Sequence, residues 1–284
     1  MPFRVNTITF APGYSEFNQG NFRDLAKYSK KTKWYYSGTA VAIEFLQNRV
    51  SAEEVHAFRK IIIKEQRKSV ASPERHGRGL IPYCVENPKL SVERHVDIFS
   101  SLLPIGWGNI VRPLDHNSIS LRGEDALLAL NAWLEEANAL PGLDMPMTTY
   151  KLVFNGKQRE TMRVWRIVLL AVDLYEAMTE CCRRGYIQLP DRSEDSCPAR
   201  HFALPCHLPP TFAHAIHDIL RGSSIVYFDG DPGHLSDRES MIASRHDWSV
   251  PQWRFEWEEK VIEQPLPLPK GWREGLHIDY QLRR

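Results

Sequence analysis

The amino-acid sequence predicts an α/β protein: one domain over residues 1–284, with a mainly parallel, curved sheet, packed helices and a tryptophan-rich C-terminal strap. Two observations carry that reading. Short apolar runs rich in β-branched residues alternate with longer stretches of helical periodicity, the pattern of parallel strands joined by crossover helices. The second is the stretch 58–102, which reads as strand, crossover and second strand. It anchors a βαβ repeat-like half, 1–123, ahead of a helix-rich half, 124–284, that ends in the strap.

In chain order, NTITF at 6–10 reads as a first strand, stopped by Pro12 and Gly13. Residues 14–37 are polar and basic, with Arg23, Lys27, Lys30, Lys31 and Lys33 ahead of Trp34, Tyr35 and Tyr36. Basic residues among aromatics suit nucleic-acid contact. Because the net charge is only +1, a solvated basic loop is the heavier reading. Residues 37–48 and 52–58 read as a kinked helix whose Ala40, Ile43 and Leu46 stripe faces the sheet. KIIIKE at 60–65 is an apolar run closed by charges, as expected of a parallel strand buried on both faces. Residues 66–76 are polar and hold Pro73, so the strand stops there; 79–87 reads as a short crossover helix ended by Asn87-Pro88. LSVERHVDI at 90–98 returns as a strand, with Arg94 and His95 interrupting its alternation.

The second half opens with a loop, 104–122, around Gly106, Trp107 and Gly108. A helix over 124–140 follows, with acidic Glu124 and Asp125 in its first turn and an apolar stripe of Leu127, Leu130 and Leu134. YKLVF at 150–154 alternates as a strand. Residues 157–184 carry the longest helical pattern, with Met162, Trp165, Leu169, Val172 and Tyr175 on one stripe and Gly185 as a left-handed cap. A proline-rich excursion, 189–210, leads to a helix over 210–220 and a short strand, 225–228. Trp253, Phe255 and Trp257 alternate with Arg254 and Glu256, which predicts a half-buried strand, and PLPLP at 265–269 predicts an extended surface strap.

Residues 38–100 carry a further signal. The strand 61–65, then Ser69-Val70-Ala71, Pro73-Glu74 with His76, Gly79-Leu80-Ile81-Pro82, Cys84, Glu86-Asn87-Pro88 and Glu93-Arg94 with Val96 resemble a large group of uncharacterised fungal proteins. Many of these carry an F-box-like segment upstream and an α/β region of leucine-rich-repeat-like character. The resemblance implies a repeat-like curved sheet and a recognition role related to F-box-type substrate adaptors. It supplies no catalytic residues. The F-box-like helix pair has no expected counterpart here, since the sequence opens on Met1-Pro2-Phe3.

Composition narrows the class. Hydrophobic content of 43% with 25% charged residues is that of a globular protein, and a balanced charge gives no global pull toward nucleic acid or membrane. The N-terminus lacks the apolar core of a signal peptide. The longest apolar run, 167–172, is far below the roughly 20 residues that span a bilayer, so no membrane partner is expected. An odd count of five cysteines, with Cys181 and Cys182 adjacent, fits reduced thiols and hence cytoplasm or nucleus.

Several clusters invite chemistry. Cys197, His201, Cys206 and His207, with His214 and His217 beyond, supply zinc-type ligands, but their spacings match no common framework and no metal is expected. Asp229, Asp231 and His234 follow a strand end, where α/β proteins place ligand sites. They would serve a metal or a proton transfer; a turn is the heavier reading, as Asp, Gly and Pro favour turns. Arg75 and Arg78 flank Gly77 ahead of the crossover and would suit an anion, against a plain capping role. Gly-x-Ser-x-Gly, His-Glu-x-x-His, Walker and Cys-x-x-Cys motifs are all absent from the sequence. The resemblance, together with the absence of a catalytic set, implies a non-catalytic protein-interaction or substrate-recognition module without cofactor. The alternative is an enzyme acting on a small molecule through Asp229, Asp231 and His234, and nucleic-acid binding through residues 27–36 ranks last.

Overall fold

The computed structural model describes residues 7–10, 36–67, 69, 72–103, 121–187 and 206–267. In order these form β1 (Thr7–Phe10), α1 (Gly38–Asn48), α2 (Ala52–Ala57), β2 (Lys60–Glu65), a 3-10 helix (Pro73–Leu80), α3 (Ile81–Glu86) and β3 (Ser91–Asp97). There follow β4 (Leu121–Arg122), α4 (Gly123–Ala139), β5 (Tyr150–Asn155), α5 (Arg159–Arg183), α6 (Pro210–Arg221), β6 (Val226–Asp229), α7 (Arg238–Ala243), α8 (Val250–Trp257) and β7 (Pro265–Leu266). The expected α/β class with a mainly parallel sheet is what the chain forms. Five strands, all parallel, lie in the order β1-β2-β3-β5-β6.

That order is monotonic, so each successive strand of the sheet adds at the same edge. Register then fixes the faces, because side chains alternate with period two. Ile61, Ile63 and Glu65 align with Val92, Arg94 and Val96, and these with Tyr150, Leu152 and Phe154. All nine are buried. Helices meet this face: Glu65 holds the start of α1, Arg94 lies over Trp133 of α4, and Phe228 stacks on Trp165 of α5 at 4.2 Å. With β-crossovers right-handed as a rule, a monotonic order puts the described crossover helices on one side.

The buried face contains an ion pair. Glu65 and Arg94, each almost wholly enclosed, meet at 2.9 Å. Glu65 also accepts from the Gly38 and Thr39 amides and the Thr39 hydroxyl, and Arg94 donates to the Pro73 carbonyl. The carboxylate thus satisfies open N–H groups at the start of α1 and faces the positive end of its dipole.

α1 and α2 are separate helices rather than one kinked helix. Ser51 and Glu54 form a capping box that starts the second afresh. Residues 73–80, expected to be loop as far as 76, wind as a 3-10 helix into α3. The strand expected at Trp253, Phe255 and Trp257 is instead the end of α8. Ser249 and Gln252 cap it reciprocally, and Trp253 and Trp257, one turn apart, bury the same side while Phe255 faces out. An i, i+2, i+4 apolar run fits both periods at its ends, and the cap decides. Of PLPLP, Pro265 and Leu266 form β7, antiparallel to β4, and Pro267 follows exposed; 268 and 269 lie outside the described residues, as does 104–120. A Cβ at Gly123 would overlap the Val261 carbonyl, so only glycine lets α4 begin against this returning segment. Gly185 takes a left-handed φ of 76° and closes α5, with Tyr186 N–H reaching the Cys181 carbonyl.

Replacing Arg94 by Met leaves Glu65 charged and enclosed without its counter-ion, which costs about 3–5 kcal/mol. Urea unfolding of Arg94→Met against the parent checks this, and a loss below about 1 kcal/mol would contradict it.

Candidate functional site

The second face of the sheet carries Lys60, Ile62 and Lys64 on β2; Ser91, Glu93 and His95 on β3; Lys151 and Val153 on β5; and Tyr227 and Asp229 on β6. Register sets them in rows. Ile62, Glu93 and Lys151 share one, and Lys64, His95, Val153 and Tyr227 the next. None of these residues is fully buried, and Lys64, Lys151 and Tyr227 are exposed. Contacts run within the face: Lys60 to Glu93 at 2.8 Å, His95 to Glu93 at 3.4 Å, and the Lys151 ammonium 5.4 Å from the Tyr227 ring. Asp229 closes the corner with Lys157 at 3.1 Å. Burial raises the Glu93 carboxyl, and hydrogen bonds from Lys60 and His95 outweigh it, leaving it below the usual carboxylate range.

Among the described residues the helices lie on the other side of the sheet, which is uncommon for parallel strands, since crossovers normally cover both faces. Here the polar and cationic side chains of alternate positions make that face suitable for water or for a partner's surface. Sequence reasoning did not single out this face. Its signal was the alternation in SVERHVD and YKLVFN, which Arg94 disguised by lying on the buried side.

The loop after β6 uses the sequence-predicted trio differently. Asp229 pairs with Lys157, Asp231 accepts from the Gly233 amide two residues on, and His234 is exposed. The loop is fastened from below, where the Trp165 indole N–H donates to the Pro232 carbonyl at 2.9 Å. Arg75 and Arg78 both engage Glu136, the latter through two N–H donors. Cys206 is buried beneath the Trp253 carbonyl, whereas neighbouring His207 is exposed. His214 pairs with Asp218 at 3.4 Å and His217 with Glu176 at 2.7 Å, while Cys197 and His201 lie outside the described residues. Among the described residues no group of three or more His, Cys, Asp or Glu is placed to hold a metal ion, and no helix is long and apolar enough to cross a membrane. The basic segment 27–36 lies outside the described residues except for Tyr36.

Titratable groups do converge at a small cleft of about 300 Å³ between α5, α6 and α7, lined by Asp173, Glu176, His217, Ser236 and Arg238. Ser236 donates its amide and hydroxyl to Asp173, whose carboxyl burial pushes above the usual range. Glu176 takes both His217 and Arg238. These bonds stitch the loop ahead of α7 onto α5. A second, open groove runs between α3 and the turn 141–147.

Burial raises the Cys206 thiol to about 12 and the Cys84 thiol to about 11, so both stay protonated at neutral pH. Iodoacetamide labelling of the native protein, read by mass spectrometry, should leave Cys84 and Cys206 unmodified until denaturant is added. Fast native labelling of Cys206 would contradict its enclosure.

Comparison of the chain with protein-family models, with curated proteins and with solved structures finds no match.

Proposed function

We propose that this chain is a non-catalytic protein-interaction module that recognises its partner across the open face of the parallel sheet. One observation carries the reading: the described helices lie on one side of five parallel strands, and alternate positions on the other side bear side chains suited to contact. Lys60, Lys64, Lys151 and Lys157 outnumber Glu93 and Asp229 there, so the partner surface that fits is acidic. Tyr227 and Val153 supply apolar and aromatic contact beside these charges. The monotonic strand order also supports a repeat-like, curved arrangement of the leucine-rich-repeat kind, and with it a substrate-recognition role of the F-box-adaptor type. The charged groups of the α5–α6–α7 cleft already engage one another, which favours binding over catalysis.

The test is affinity capture from the native cells with Lys64→Glu and Lys151→Glu combined. Both positions are exposed, so stability should change by no more than about 0.5 kcal/mol per site. A reproducible partner should disappear in that variant and persist in Asp231→Ala with His234→Ala. Retention after charge reversal, or a small molecule lost in the loop variant, would move the reading to an enzyme.

A further inference from the structure

The open groove between α3 and the turn 141–147 is chemically unlike the sheet face. Ile81, Val85, Met145 and Met147 wall it together with prolines 82, 141 and 146. Val85 and Met147 are 51% and 56% exposed, and Leu143 on the same turn is 41% exposed. Together they give this surface an apolar character against which apolar side chains of a partner can bury. Methionine adapts its shape to different apolar partners, and the prolines hold the walls still. Among the described residues, the ionisable ones lining the groove are Glu86 and Asp144, both acidic and both exposed. Glu86 is steadied by His56 at 3.4 Å, and Asp144 sits in a left-handed turn conformation with φ of 71°.

We infer that this groove docks a short protein segment bearing apolar anchors next to a lysine or arginine. The anchors bury against Val85 and Met147, and the cation meets Glu86 and Asp144 at the rim. An acidic segment is disfavoured because the Glu86 and Asp144 carboxylates repel it. The groove is a second docking surface, and its occupancy does not depend on the sheet face.

Selection from a random peptide library on the whole chain, followed by anisotropy titration of the labelled lead peptide, tests the assignment. The expected peptides hold apolar residues beside Lys or Arg. Their affinity should fall about tenfold or more in Met147→Asp, an exposed position that leaves the fold intact, and likewise in Val85→Asp. Glu86→Lys with Asp144→Asn, the latter tolerated in a left-handed turn, should shift the preference to acidic flanks. Lys64→Glu with Lys151→Glu should leave peptide binding unchanged, which separates this groove from the sheet face. Peptides without a basic preference, or equal binding to Met147→Asp, would overturn the inference. So would a dimer of the chain itself that Met147→Asp dissociates, since the groove would then be taken by a second copy.

Discussion

The enclosed pair of Glu65 and Arg94 is the constraint on which the arrangement of this protein depends. They stand as diagonal neighbours on adjacent strands, Arg94 opposite Ile63 and Glu65 opposite Val96. Around them gather the first amides of α1, the Pro73 carbonyl and the Trp133 ring of α4, and Arg94 also hydrogen-bonds the buried Tyr150 hydroxyl on β5. Two charges out of water are unfavourable unless their hydrogen-bonding capacity is met. Meeting it here requires α1, the 3-10 helix and α4 all to lie on the same side of the sheet. A hydrophobic pair would stabilise the strands as well, but it would not dictate where the helices sit.

That one-sidedness has a consequence for the opposite face. With the described helices in one layer, alternate residues of β2, β3, β5 and β6 face the other way, and lysines, Glu93, His95, Tyr227 and Asp229 stand there with only Ile62 and Val153 as aliphatic members. Polar groups left on a parallel sheet are held by each other or by what binds there. The ladder of Lys60, Glu93 and His95 keeps the centre of the face ordered without covering it. Lys64 and Lys151 remain exposed toward either side of it.

The sequence made much of the fold legible where local and long-range demands agree. KIIIKE begins and ends where β2 does, and the apolar stripe around Trp165 and Val172 marks α5 because length, periodicity and the Gly185 cap coincide. It failed where one residue serves two patterns. Arg94 looked like a break in alternation, since a buried arginine is rare; only Glu65, 29 residues away, makes its position intelligible. Trp253 and Trp257 fit strand and helix spacing alike, and the deciding cap lies at Ser249. The open face was invisible for a related reason: whether a strand is covered once or twice depends on topology, and topology rests on contacts between segments far apart in sequence.

Hydroxyl-radical footprinting of the protein, alone and within the assemblies recovered from its native cells, tests the open face most directly. The account predicts that His95 and Tyr227 oxidise readily in the isolated chain and become protected in the assembly, while exposed Phe255 on α8 reacts equally in both. Tyr227 already protected in the isolated chain, or equally reactive in both states, would contradict it.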